Sequence, residues 1–260
     1  MERESIFDKL ANDENNEVRL EVAKNPNTPA DILIRLVNDE NDKVRIAVTK
    51  NPAIEKIDIS TTEGKNFFEK LLNSKDVKVK TSIALNPNTP PDLLEKLSQD
   101  KKWSIRKAVA SNPSTPVETL EKLANDENKI VRESPARNPS TPPKTLIKLL
   151  NDESEWVRIK VASNPSTPLK VLERLLQQQD NFKFFVASNP SASAQILEKL
   201  SQDEDELVRA MVTENPSTPP EVLEKLANDK SKEVKISIAK NPNIAKIDTP
   251  QPKKSISPSM

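Results

Sequence analysis

The chain has 260 residues, with 40 basic and 40 acidic side chains, so no field of one sign draws it onto nucleic acid or a membrane surface. It contains no cysteine, histidine or tyrosine, which excludes disulfides, zinc-thiolate and iron-sulfur sites and Cys-His catalysis, and leaves carboxylates, lysines and hydroxyls for acid-base work. No catalytic, cofactor-binding or metal-ligating residue is therefore assigned, and hydrophobic and aromatic contents of 34% and 3% suit an elongated array better than one compact core.

At the N-terminus Glu2, Glu4 and Asp8 stand where a secretory signal would be apolar. No apolar run approaches the roughly 18 residues that cross a bilayer, so a cytoplasmic protein is expected. From there the dipeptide Asn-Pro recurs at 25, 51, 86, 112, 138, 164, 189, 215 and 241, with spacings of 26, 35, 26, 26, 26, 25, 26 and 26. A period in this range marks a repeat array.

Each unit holds two helical signals. In Thr218-Pro219-Pro220-Glu221 the threonine is expected to cap, proline fits the first turn, and the glutamate completes a capping box. Apolar residues follow at i, i+1 and i+4, as in Val222, Leu223 and Leu226. A second start is expected at Asp229 and its counterparts Asp13, Asp39, Asp100, Asp126, Asp152 and Asp203, and the next Asn-Pro ends that short helix, part of which could be 3₁₀.

Helix pairs are predicted near 5–24, 30–50, 63–85, 90–111, 116–137, 142–163, 168–188, 193–214 and 219–240, about nine units forming one repeat domain over 1–242. Helices this short are marginal alone, so they must stack on their neighbours. The 35-residue spacing inserts a loop at about 53–61, ahead of the only glycine, Gly64, and insertions in repeat proteins often lie on a functional face. The sequence Asn51 to Asp58 is echoed from Asn241 to Asp248. Pro135 falls inside the second helix of the fifth unit, which should be shortened or kinked. Residues 243–260, rich in Pro, Ser and Lys, are expected to be a disordered tail.

The pattern Asn-Pro-Ser-Thr-Pro-x-x-x-Leu-x-x-Leu-x-x-Asp, closed by Val-Arg-x-x-Val-Ala, resembles the variant leucine-rich repeat family, a relative of HEAT repeats, over about residues 5–242. The resemblance implies an all-α, right-handed solenoid of α-helices alternating with short α or 3₁₀ helices, with no sheet. The family's founding type is associated with a cysteine-ligated iron-sulfur module, which a chain without cysteine does not carry.

Three sets of recurrent or exceptional residues are candidates for function. A cation recurs in the second helix, at Arg19, Arg45, Lys80, Arg106, Arg132, Arg158, Lys183, Arg209 and Lys235, and seven of these nine have an aspartate six residues earlier. The ladder either contacts phosphates or pairs with aspartates and turn carbonyls of its own or the adjacent unit. The asparagine before each proline is either a row that reads adenine edges or a main-chain staple in the turn. Near the start of the second helix, where most copies are polar, four carry Trp103, Ile130, Trp156 and Leu207, and the intervening unit contributes Phe182, Phe184 and Phe185. They form either a docking stripe or a cover over the joints.

The function expected from these features is a non-enzymatic scaffold for a protein or peptide. The alternatives are nucleic-acid binding along the cation ladder, a HEAT-like glycosylase for which Asp152 and Trp156 are the conceivable pair, and a structural spacer. No membrane partner is expected.

Overall fold

Proline closes each repeat because it has no amide hydrogen to continue a helix and disfavours α geometry at the residue before it. In the computed structural model, which describes residues 5–178, 180–242 and 244, the helices accordingly stop just before successive Asn-Pro dipeptides. The helices are α1 Ile6–Ala11, α2 Asn16–Lys24, α3 Ala30–Leu36, α4 Asp42–Lys50, α5 Thr62–Leu72, α6 Val77–Leu85, α7 Pro91–Leu97, α8 Trp103–Ser111, α9 Val117–Leu123, α10 Lys129–Arg137, α11 Pro143–Leu149, α12 Glu155–Ser163, α13 Leu169–Gln178, α14 Lys183–Ala187, α15 Ala194–Leu200, α16 Glu206–Glu214, α17 Pro220–Leu226 and α18 Lys232–Lys240. Two 3₁₀ segments, Pro52–Lys56 and Asp180–Phe182, complete the order, and the described residues contain no strand. No helix among them is long and apolar enough to cross a membrane.

The chain forms two compact units, Met1–Thr145 and Leu146–Met260. Within the first, the second helices α2, α4, α6, α8 and α10 stack in chain order, and α1, α3, α5 and α7 pack against one another more loosely. Within the other, α12, α14, α16 and α18 stack in the same way. Each unit is thus a helical stack whose core runs along its joints, with Leu94, Leu97, Val109, Leu120 and Leu123 buried in one and Leu172, Leu175, Leu197, Val212 and Leu223 in the other. The apolar triplet of the first helix and the two apolar residues of the second account for these positions.

The local start signals act differently from the sequence reading. Thr218 does not cap α17, whose N-cap is Pro219 with no side-chain hydrogen bond, so the capping box is not formed. The Thr218 hydroxyl donates backwards to the Val212 carbonyl at 2.5 Å, and Thr115 and Thr167 do the same to Val109 and Val161. Each threonine closes the preceding helix, where a carbonyl lacks a partner, leaving proline to open the next. The aspartates likewise stand two residues ahead of the true N-caps: Asn41 caps α4 and Asn128 caps α10, behind Asp39 and Asp126. Their carboxylates accept from the N–H two residues on, as in Asn41 N to Asp39 Oδ1 at 2.8 Å, which shapes the turn.

Two further expectations are corrected. Helix α10 keeps nine residues with Pro135 inside it, the same length as α8 and α12, and is not shortened. The Pro135 carbonyl accepts from the Thr141 hydroxyl and the Asn138 N–H, so the last turn stays bonded although the ring removes one amide donor. The segment expected as an inserted loop begins instead as the 3₁₀ segment Pro52–Lys56, with Ala53, Ile54 and Ile57 buried. After it, Thr61 caps α5, and Gly64 lies so close to the turn that a Cβ there would fall 2.0 Å from the Asp58 carbonyl oxygen. The expected tail, 243–260, falls outside the described residues except for residue 244.

Burial of the repeated leucine predicts that Leu123→Ala lowers unfolding stability by about 2 to 5 kcal/mol. Equilibrium denaturation measures this, and a loss below about 0.5 kcal/mol would contradict its place in the core.

Candidate binding surface

A residue required at every joint is unavailable to a ligand, so the geometry of the joints decides which recurrent residues face outward. Most of the asparagines are consumed. Asn112 is fully buried; its Nδ2 donates to the carbonyls of Ala84 and Asn86, both at 2.7 Å, and its Oδ1 accepts from Ser114 N at 2.8 Å. Asn51, Asn86 and Asn138 in the first unit, and Asn189 and Asn215 in the other, repeat this bonding to the preceding turn. Such saturated amides are main-chain staples and cannot read base edges.

The cation ladder is built as rungs. The Nη1 of Arg106 donates to the Asp100 carbonyl at 2.9 Å in its own turn, while Nε and Nη2 take both carboxylate oxygens of Asp126 in the next turn at 2.6 and 2.8 Å. Arg19 with Asp39 and Arg209 with Asp229 repeat the fork, and Lys80 with Asp100 and Lys183 with Asp203 make single contacts. The planar guanidinium thus clamps two turns at once, taking its carbonyl from its own unit and its carboxylate from the next. Arg132 donates to the carbonyls of Asp126 and Glu127 in the same manner.

Burial would raise the carboxyls of Asp39 and Asp126, but the arginine forks and the turn N–H bonds outweigh it and hold both below the usual carboxylate range. For Asp229 the hydrogen bond from Arg209 is the largest influence, in the same direction.

Two rungs depart from the fork. Arg45 donates through Nη1 to the carbonyls of Asp39 and Glu40 at 2.7 and 2.8 Å, and its charge acts on the Asp39 carboxylate, but no carboxylate is hydrogen-bonded to it among the described residues. Arg158 likewise reaches the carbonyls of Asp152 and Glu153, and its guanidinium lies 5.9 Å from the Phe182 ring centroid. Lys235 is exposed on the last described second helix.

The apolar candidates separate by exposure. Trp103 is 43% exposed at the start of α8, and Ile130 on the adjoining α10 is half-buried. In the other unit Trp156 on α12 and Leu207 on α16 are 59% and 54% exposed. Between them in that stack, α14 carries Phe184 and Phe185, half-buried and packed edge to face with centroids 5.3 Å apart. Phe182 is wholly buried and fills the place that valine or isoleucine takes in other second helices, so it leaves the stripe. Pattern reading missed Met211 of α16 and Ile236 of α18, which lie at repeat positions equivalent to Phe185 and Phe184; the first is half-buried and the second 40% exposed.

Residues 103–128 and 206–231 match the leucine rich repeat variant family model, and these segments are repeats of that kind. The chain is similar to a solved leucine-rich repeat variant described as having a novel repetitive structural motif, with 22% identity, a TM-score of 0.52, and coverage of 92% of this chain and 87% of that one. Lesser likenesses are to an Escherichia coli protein, YIBA, at 19% identity with 90% of each chain covered and a TM-score of 0.41, and to an engineered protein at 15% identity, covering 90% of this chain and 96% of that one, with a TM-score of 0.34. No curated protein matches the sequence. The resemblance read from the Asn-Pro pattern therefore holds, in its repeat type and in its all-helical fold.

A carboxyl held below its unfolded value binds a proton less readily in the folded state, so it stabilises the fold above the ordinary carboxylate range and ceases to do so as pH falls through its folded value. Melting temperature is predicted to drop between about pH 5 and pH 3, and Asp126→Asn to reduce that drop. Thermal melts at the two pH values check this, and an identical drop in both proteins would contradict it.

Proposed function

We propose that the chain is a non-enzymatic, cytoplasmic repeat scaffold that binds a protein partner through the apolar row on its second helices. The observation that carries this reading is the succession Trp156, Phe184 and Leu207 on α12, α14 and α16, three neighbouring helices of one stack. Two of these side chains are more than half exposed, at a place where other units carry Glu17, Lys43 or Lys78. Joint packing does not require them, because buried valines and leucines already fill the joints. A row of aromatic and aliphatic groups ringed by polar residues is what a protein interface core needs. Trp103 and Ile130 supply a smaller surface of the same kind on α8 and α10.

The rung geometry favours a protein partner over nucleic acid. The forks of Arg19, Arg106 and Arg209 already hold carboxylates, and the chain as a whole has no excess of positive charge with which to release counterions. The candidate catalytic pair offers no second reading, since Asp152 occupies the repeated turn position.

Trp156→Ala combined with Leu207→Ala is predicted to weaken partner capture at least tenfold, in keeping with about 2 kcal/mol for a central aromatic anchor, and to leave the melting temperature within a few degrees of the parent. Capture from a cytosolic extract followed by titration of the captured protein reads this out. Undiminished affinity with the fold intact would refute the surface.

A further inference from the structure

The rung between α4 and α6 is charged differently from the others of its stack. Where Arg19 reaches forward it meets Asp39 and Glu40, and where Arg106 reaches forward it meets Asp126 and Glu127. At the corresponding positions ahead of Arg45 the chain carries Ser74 and Lys75. Ser74 occupies the aspartate register in structure as well as in sequence, because its hydroxyl accepts from Asp76 N just as Asp39 accepts from Asn41 N and Asp126 from Asn128 N. The turn is therefore kept while its carboxylate is lost, and Lys75 follows it, as Lys101 and Lys230 follow the aspartates of two formed rungs.

Arg45 is half-buried, with Nη1 fixed on two carbonyls as in the complete rungs. Its Nε and Nη2 edge, which in Arg19, Arg106 and Arg209 takes a carboxylate, makes no hydrogen bond within the described protein. The nearby acid, Asp39, is already held by Arg19. Of the two irregular arginine rungs, that of Arg158 is covered by the Phe182 ring, whereas that of Arg45 has no such cover. A preoriented guanidinium edge, with a hydroxyl and an ammonium at the repeat positions that supply its partners in complete rungs, is the donor set of a carboxylate receptor.

From this internal comparison we infer that Arg45, Ser74 and Lys75 form an anion site that takes a carboxylate from outside the repeat, in the place that an aspartate fills in the complete rungs. The ligand class is an acidic side chain of a partner peptide, bound end-on to the fork. This site does not depend on the apolar row.

The test uses sodium acetate as the probe, against sodium chloride at equal ionic strength, with the Arg45 Nε–H resonance followed by NMR in the full chain. In the parent protein the resonance is expected to shift saturably with acetate, whereas that of Arg106, whose fork is filled, stays in place. Ser74→Asp supplies the missing carboxylate internally. It is expected to weaken the acetate response at least tenfold and to raise the melting temperature by about 2 to 4 °C. The site is overturned if acetate gives no saturable shift, if Arg106 titrates together with Arg45, or if Ser74→Asp neither stabilises the protein nor alters the titration.

Discussion

The structure depends on the way each turn between units hydrogen-bonds to the turn before it. Proline ends a helix but leaves main-chain carbonyls without partners, and buried carbonyls in that state cost about 1 to 3 kcal/mol each. The asparagine ahead of the proline resolves this: its amide reaches back one unit to two of those carbonyls while its oxygen organises its own turn. The bonding survives even the nine-residue insertion, since Asn86 still donates to Thr49 and Asn51 across it. A sequence of short helices, each unable to persist alone, thereby acquires a fixed axial register.

Once register is set, the other recurrent features follow from it. Within each unit the leucines of the first helices are buried at the joints, and the guanidiniums of Arg19, Arg106 and Arg209 meet a carboxylate one turn further on. In a chain with as many basic as acidic side chains, those forks use part of the recurrent charge internally, in pairs. Positions that the joints do not use are free to differ from unit to unit, and it is there that Trp156 and Leu207 stand where other units carry Glu17, Lys43 or Lys78.

The helices, their pairing and their buried leucines were legible in the sequence because they depend on local periodicity and on proline, whose effects are confined to its own neighbourhood. Side-chain partners were less so. Thr218 and Asp39 are good cap residues by local rules, yet one bonds backwards to a preceding helix and the other joins a turn and an arginine from the previous unit. A hydroxyl or carboxylate with several main-chain groups in reach takes the one left unbonded, and that is decided by neighbours distant in sequence. The shortening expected at Pro135 does not occur, since Thr141 and Asn138 re-bond the turn that the ring disturbs. Of the stripe, Trp156 and Leu207 were recognisable from their mismatch to the repeat, whereas the burial of Phe182 follows from the irregular 3₁₀ entry to α14, which a 25-residue spacing only hints at.

The most direct measurement is the unfolding free energy of Asn112→Ala. The substitution leaves the carbonyls of Ala84 and Asn86 and the N–H of Ser114 without their partner, with no apolar contact of comparable size removed. The account predicts a loss of about 3 kcal/mol or more by denaturant titration. A loss below about 0.5 kcal/mol would show that the joints are held by the buried leucines alone and that the asparagine bonding is incidental.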